Sequence, residues 1–196
     1  MGASASASTG EQDKGVVSLA HFPEWLLGQP AVQELGKRLW GSGNLTVAPG
    51  LPTQIEPGEL SRWVRGDDMA CQFVGVPQDG QQTACLLVPS SDAARWVDRV
   101  LGGEGRVGHV RELTEPESGV LAYALGRALH ELWPRFQLSD LGRARPEPLS
   151  GYLGSCVVWP LALQTSLGTV DLRLLLSAPL VARVALETEL VIELGD

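Results

Sequence analysis

Between Leu86 and Pro134 the hydrophobic positions twice keep helical time. Ala93, Trp96, Val97, Val100 and Leu101 recur at i, i+3, i+4, i+7 and i+8, the spacing that lines up one buried helix face. Arg95, Asp98 and Arg99 fall on the other face. Pro89, Ser90, Ser91 and Asp92 suit a helix entry, and Gly102-Gly103 ends the run. A second helix opens at Thr114-Glu115-Pro116-Glu117. This is a capping box, with Thr114 accepting from the third amide and Glu117 reaching back to the cap. Leu121, Leu125, Ala128 and Leu132 form its seam, and Pro134 stops it.

On either side of this helical pair the apolar runs are shorter and strand-like. Residues 69–76 and 83–88 read as a hairpin around Pro77-Gln78-Asp79-Gly80, and 155–165 and 169–176 as a second one turning at Ser166-Leu167-Gly168. Residues 178–186 read as a helix and 188–194 alternate as a strand does. The two halves echo each other. Cys85-Leu86-Leu87-Val88-Pro89 followed by Ala94-Arg95-Trp96-Val97 parallels Leu174-Leu175-Leu176-Ser177 followed by Ala182-Arg183-Val184-Ala185.

The remaining segments are less patterned. Residues 1–15 are rich in Ala, Ser and Gly and predict a disordered tail. Val32, Leu35 and Leu39 predict a helix over 30–40, closed by Gly41. Residues 43–58, rich in Gly and Pro, predict a surface loop with a possible short strand over 45–47, and 59–64 are open between helix and strand. Residues 135–151, with Pro146 and Pro148, read as a long polar connection. The expected division is a tail (1–15), an N-terminal extension (16–66), a main domain (67–187) and a terminal strand or the start of a further domain (188–196).

Charge narrows the partners. The 196 residues carry a net charge of -8, which disfavours nucleic acid and suits docking on basic protein patches. No apolar run approaches the ~20 residues needed to cross a bilayer, and no secretory signal pattern opens the chain. Cys71, Cys85 and Cys156 lie in apolar strand-like segments without metal-ligand spacing, which points to buried free thiols in a reducing cytoplasm. His21, His109 and His130 have no partner at ligand spacing, so neither a metal nor a cofactor is expected.

The loop between the anchor helices holds the candidate chemistry. Gly103-Glu104-Gly105-Arg106-Val107-Gly108 satisfies GxGxxG. A dinucleotide site needs a strand before the glycines and a helix N-terminus after them; here a helix precedes them, so that reading fails on context. A plain helix-ending turn is one alternative. A docking loop is the other, because glycines permit positive φ and let a partner's backbone approach.

The docking alternative comes from a family resemblance. A strand ending Leu87-Val88-Pro89 leads into a helix ending at Gly102-Gly103-Glu104-Gly105. A helix opening at Leu113-Thr114 with Glu117 follows, then Val157-Val158-Trp159-Pro160 through Gly168 and Leu172 to Pro179. This order, over about residues 69–184, resembles the middle domain of the flagellar motor switch protein FliM. It resembles equally the corresponding part of SctQ-class type III secretion proteins.

The resemblance implies an α/β (α+β) fold of the CheC/FliM-middle-domain kind: a pseudo-twofold, mixed, mainly antiparallel sheet with packed helices. It also implies a protein-binding loop at Gly102, Gly103, Glu104, Gly105 and Arg106. The CheC-type phosphatases share this fold and place a water-orienting Glu and Asn on the second anchor helix. Counted from Ser118, those positions here hold Ala122 and Leu125, so no catalytic residue is expected. Flagellar switch proteins begin with an acidic-hydrophobic, LSQxEID-like motif, and residues 1–60 contain nothing like it.

The expected role is therefore a non-enzymatic scaffold of the type III secretion sorting platform. Its implied partners are the ATPase stator, the membrane-ring adaptor, a SpoA-domain protein and chaperone-substrate complexes. The implied location is the cytoplasmic face of the inner membrane, reached only through those partners. A flagellar switch relative and a CheC-like phosphatase are the alternatives. Gly103→Asp and Glu104→Arg are both expected to spare the fold while breaking adaptor binding.

Overall fold

The computed structural model describes residues 33, 46–75, 82–106, 111–132, 134, 136–165 and 168–187. Outside them lie the expected tail, the helix over 30–40 apart from Gln33, the turn at 77–80, the strand over 188–194, and His21 and His109. The side chains of Ala128 and Leu132 are likewise outside the description.

Two antiparallel hairpins make the centre of the sheet. The first is β3 (Asp68–Gly75) with β4 (Thr83–Pro89), followed by helix α1 (Ser90–Val100). The second is β6 (Cys156–Thr165) with β7 (Gly168–Ser177), followed by α4 (Ala178–Glu187). Between them run α2 (Glu115–Leu132), β5 (Phe136–Arg143) and α3 (Pro146–Leu153). Before them come β1 (Thr46–Pro49), β2 (Thr53–Ile55) and a 3-10 helix (Pro57–Arg62). The strand order is β1-β6-β7-β4-β3-β5, with β2 also on β6. Every pairing among the described residues is antiparallel.

The pseudo-twofold is carried by register. Asp68 pairs with Pro89 in the first hairpin and Cys156 with Ser177 in the second, so a shift of 88 residues superposes both strands of one on the other. The same shift carries Leu86 onto Leu174, and these two face each other across the β4–β7 junction. It also carries the helix entries onto each other: the Ser90 amide donates to Asp67 O, and the Ala178 amide to Ser155 O, each at 3.0 Å. The echo between 85–97 and 174–185 is thus a repeat in space.

Side chains alternate across strands, and here both sheet faces are covered, which explains the almost unbroken apolar runs. Met69, Cys71, Phe73, Val157, Trp159, Leu161, Leu172 and Leu174 point to the side of α1, α2 and α4, where they meet Trp96, Val97, Leu121, Leu125 and Leu180. Ala70, Cys85, Leu87, Val158 and Leu175 point to the other side, against Leu60 of the 3-10 helix and Leu149 and Leu153 of α3. The three cysteines are buried free thiols, and burial pushes Cys71 up to about 12.

Three expectations change. Where a connection was expected over 135–151, residues 136–143 form the edge strand β5 and 146–151 the start of α3. The edge needs only its inner face apolar, so the strand reads as polar. The two prolines sit in the first turn of α3, where a missing amide costs nothing. The surface loop over 43–58 contributes β1 and β2, which pair with β6. Residues 59–64 resolve as the end of a 3-10 helix, closed at its start by the Glu56 amide donating to Glu59 Oε2 at 3.2 Å.

One buried contact had no sequence signal. Arg173, in mid-strand β7, donates from Nη2 to Asp68 Oδ1 at 2.5 Å and from Nη1 to Trp63 O at 3.1 Å. The Arg65 amide donates to Asp68 Oδ2 at 2.7 Å. The pair ties the chain before β3 to the sheet centre.

Trp96 and Leu125 are both buried, at 1% and 6% exposure. Truncating either to Ala should therefore cost about 2–5 kcal/mol in chemical denaturation; a loss below about 0.5 kcal/mol at both, the size of a surface change, would contradict this packing.

Candidate docking site

The loop that leaves α1 is a built structure. The helix ends with Leu101 as its cap residue, and the next two amides fold back over the last turn. Gly102 N–H donates to Arg99 O at 3.0 Å and Gly103 N–H to Asp98 O at 2.8 Å. These are the two bonds of a Schellman ending, which needs a left-handed residue just past the cap. Gly102 supplies it, with φ of 94°.

Asp98 then holds the rest of the turn. Its Oδ2 accepts from the Gly105 amide at 2.7 Å, and Gly105 itself is buried with φ of 76°. A Cβ on Gly103 would land on the Asp98 carboxylate. The GGxG spacing therefore has a physical cause at each glycine: two positive φ angles and one close approach to an anchoring carboxylate.

What remains exposed is specific. Glu104 and Arg106 stand out into solvent and pair with each other at 3.1 Å, an interaction worth little at such exposure. Leu101 is 66% exposed. The periodic stripe had placed it in the core, but the cap residue has already left the helical path, so its side chain turns outward. The far end of the connection is fixed by Arg111, whose guanidinium makes a two-point fork on Glu117. Thr114 donates to the same carboxylate from its amide and its hydroxyl. Glu117 thus reaches back as the capping box requires, while the hydroxyl serves as donor to it.

The loop residues Gly102, Gly103, Glu104, Gly105 and Arg106 are therefore brought together as one turn anchored on Asp98. The sequence had assigned Asp98 only to the polar helix face. On α2, Ser118 and Ala122 are half-buried and Leu125 is in the core, so these positions hold no carboxylate or amide facing solvent. His130 is exposed on the same helix.

No protein-family model matches this sequence, and no curated protein does. Solved structures do match. FliY from Thermotoga maritima aligns with a TM-score of 0.59 at 17% identity, over 81% of this chain and 87% of that one. FliM from H. pylori in its complex with SpeE aligns at 0.56 and 13%, over 81% and 90%. FliM from H. pylori in its complex with FliG aligns at 0.55 and 15%, over 74% and 84%. The fold is that of the FliM middle domain. Among the described residues no helix is long and apolar enough to cross a membrane.

The geometry separates the two variants of the loop. A side chain at Gly103 must push the Asp98 carboxylate aside, and Gly103→Asp adds a like charge beside it, so this variant is expected to loosen the turn as well as change its surface. Gly103→Ala should lower the melting temperature by several degrees, about 1 kcal/mol or more, whereas Glu104→Arg should leave it within about a degree. Equal melting of the two variants would mean that Asp98 does not hold the turn.

Electrostatics give a second check. The Arg111 fork, then the Thr114 amide, draw Glu117 down from 4.5 to about 2. A carboxylate with a depressed folded value stabilises the fold above its ordinary titration range and loses that contribution as pH falls. Glu117 should therefore titrate near pH 2 by NMR, its help to α2 fading between pH 4.5 and about 2. Arg111→Ala should return the midpoint toward the ordinary carboxylate range; an unchanged midpoint would contradict the fork.

Proposed function

We propose that this chain is a non-enzymatic scaffold of the type III secretion sorting platform, joining the ATPase stator to the membrane-ring adaptor and helping receive chaperone-bound substrates. The observation that carries the reading is the turn after α1. Three glycines and Asp98 hold it in one shape while Leu101, Glu104 and Arg106 face solvent. A preorganised loop loses little entropy on docking, an apolar residue beside a charged rim suits a protein partner, and the rim charges set orientation and on-rate.

The FliM structure that shares this fold was solved with FliG bound, which supports a protein partner here. The secretion assignment rests on the sequence resemblance, and the fold matches themselves favour a flagellar switch relative as the second reading. A phosphatase role finds no support at Ala122 and Leu125, where those enzymes carry Glu and Asn, since neither side chain can hydrogen-bond a water.

Glu104→Arg and Arg106→Glu are the clean tests, because neither position carries the turn. Both variants should purify as folded protein, fail to pull down the membrane-ring adaptor, and abolish secretion in a strain lacking the wild-type copy. Normal capture and secretion by both would overturn the docking role. Loss of swimming with intact secretion would move the assignment to the flagellar motor.

A further inference from the structure

The two edges of the sheet are unequal. One is made by β1 and β2, of four and three residues, with Pro49 and Pro52 flanking the break between them. Strands this short and marked by proline offer little to an incoming chain. The other edge is β5, eight residues long and paired in the sheet with β3 alone. The Ala144 amide donates inward to Asp68 O at 2.8 Å, so by alternation the amides of Leu141 and Arg143 face away from β3. An edge of this length is a template for a further strand.

The strand is interrupted at its middle. Gln72 pairs with Asp140 but Phe73 with Leu138, so Ser139 is an extra residue opposite that step of β3. This is a β-bulge, which bends its strand and increases the local twist. The packing carries its imprint: Leu138 and Leu141 are three apart, yet both meet the core on the side of α1 and α2.

Hydroxyls hold the bulge in place. Ser139 Oγ donates to Gln72 O at 3.1 Å, and Tyr152 Oη, reaching over from α3, donates to Phe73 O at 2.5 Å. The two hydroxyl oxygens lie 3.0 Å apart. The carbonyls on both sides of the register step are thus bound by side chains. Asp140 is fixed beside them, its Oδ2 accepting from Gln72 Nε2 at 3.2 Å. Tyr152 is itself half-buried against the core on the α3 side of the sheet, so the bulge is tied to a packed element.

We propose that the Ser139–Tyr152 hydroxyl pair is a lock that keeps β5 bulged and so closes this edge to strand addition by a second copy of the chain. A second copy is the relevant donor because β5 is the one long edge strand among the described residues. Two such edges can meet antiparallel about a twofold axis, the sense of every pairing in this sheet, and would fuse two sheets into one. The bulge twists each edge away from that contact, leaving association to other surfaces.

Tyr152→Phe combined with Ser139→Ala tests the lock, because it removes both hydroxyls and nearly keeps the packing volume. Its circular dichroism and cooperative melting should persist. Sedimentation over a concentration series should show its mass rising toward that of a dimer, beyond any rise in wild type. In the associated sample, hydrogen exchange at the Leu141 and Arg143 amides should slow about tenfold or more as a new ladder forms. Tyr152→Phe alone, the milder change, should shift both readouts the same way by less. Deleting Ser139, which removes the bulge outright, should give association at still lower concentration. Wild-type mass in the double variant at every concentration would overturn the lock, even if the deletion associates. Association without slowing at Leu141 and Arg143 would overturn it equally, since the contact would then lie elsewhere.

Discussion

The antiparallel pairing of β4 with β7 is the contact on which the rest of the molecule depends. Among the described residues it is the one ladder that joins the two hairpins, and Leu86 faces its own repeat mate Leu174 across it. With that junction made, the sheet has two faces of apolar side chains, and each must be covered. Helices α1, α2 and α4 cover one; the 3-10 helix and α3 cover the other. The buried Asp68–Arg173 pair crosses the same junction from β3 to β7. Removing one member of such a pair strands the other charge away from water, which is far worse than never having had the pair.

From this frame α1 emerges, held at both ends. Its first amide, at Ser90, donates to Asp67 O, and its last turn passes into the Asp98-held loop. The helix between them is pinned by Ala93, Trp96 and Val97 in the core. Rigidity is what makes a surface turn specific: a loop with a single shape offers a partner the same three side chains every time. The glycines are structural and the charged residues are free to be read. That division lets one short motif be a helix ending and, in the proposed role, a docking point, the two alternatives the sequence offered.

Elements with one strong period were legible in the sequence. The anchor helices and both hairpins followed from spacing alone, and Cys85–Pro89 against Leu174–Ser177 exposed the repeat. Elements stabilised by neighbours were not. β5 is an edge strand whose outward residues are polar, and α3 is eight residues long with two prolines, so neither has a local pattern that announces it. The pairing of Arg173 with Asp68 joins residues 105 positions apart, and nothing in either neighbourhood points to the other. At the loop, the glycines were legible and their anchor was not. Asp98 reads as one more polar helix residue until the turn is seen folding back onto it. Leu101 fitted the apolar stripe by arithmetic alone, since spacing does not say where the helix path ends.

The central claim, that the turn after α1 is the docking point for the membrane-ring adaptor, is tested most directly inside the assembled apparatus. A photo-reactive amino acid placed at Glu104, activated in cells, should give an adduct with the adaptor. The same probe at Tyr123, exposed on α2, should not. Capture of the adaptor from Tyr123 with none from Glu104 would contradict the account.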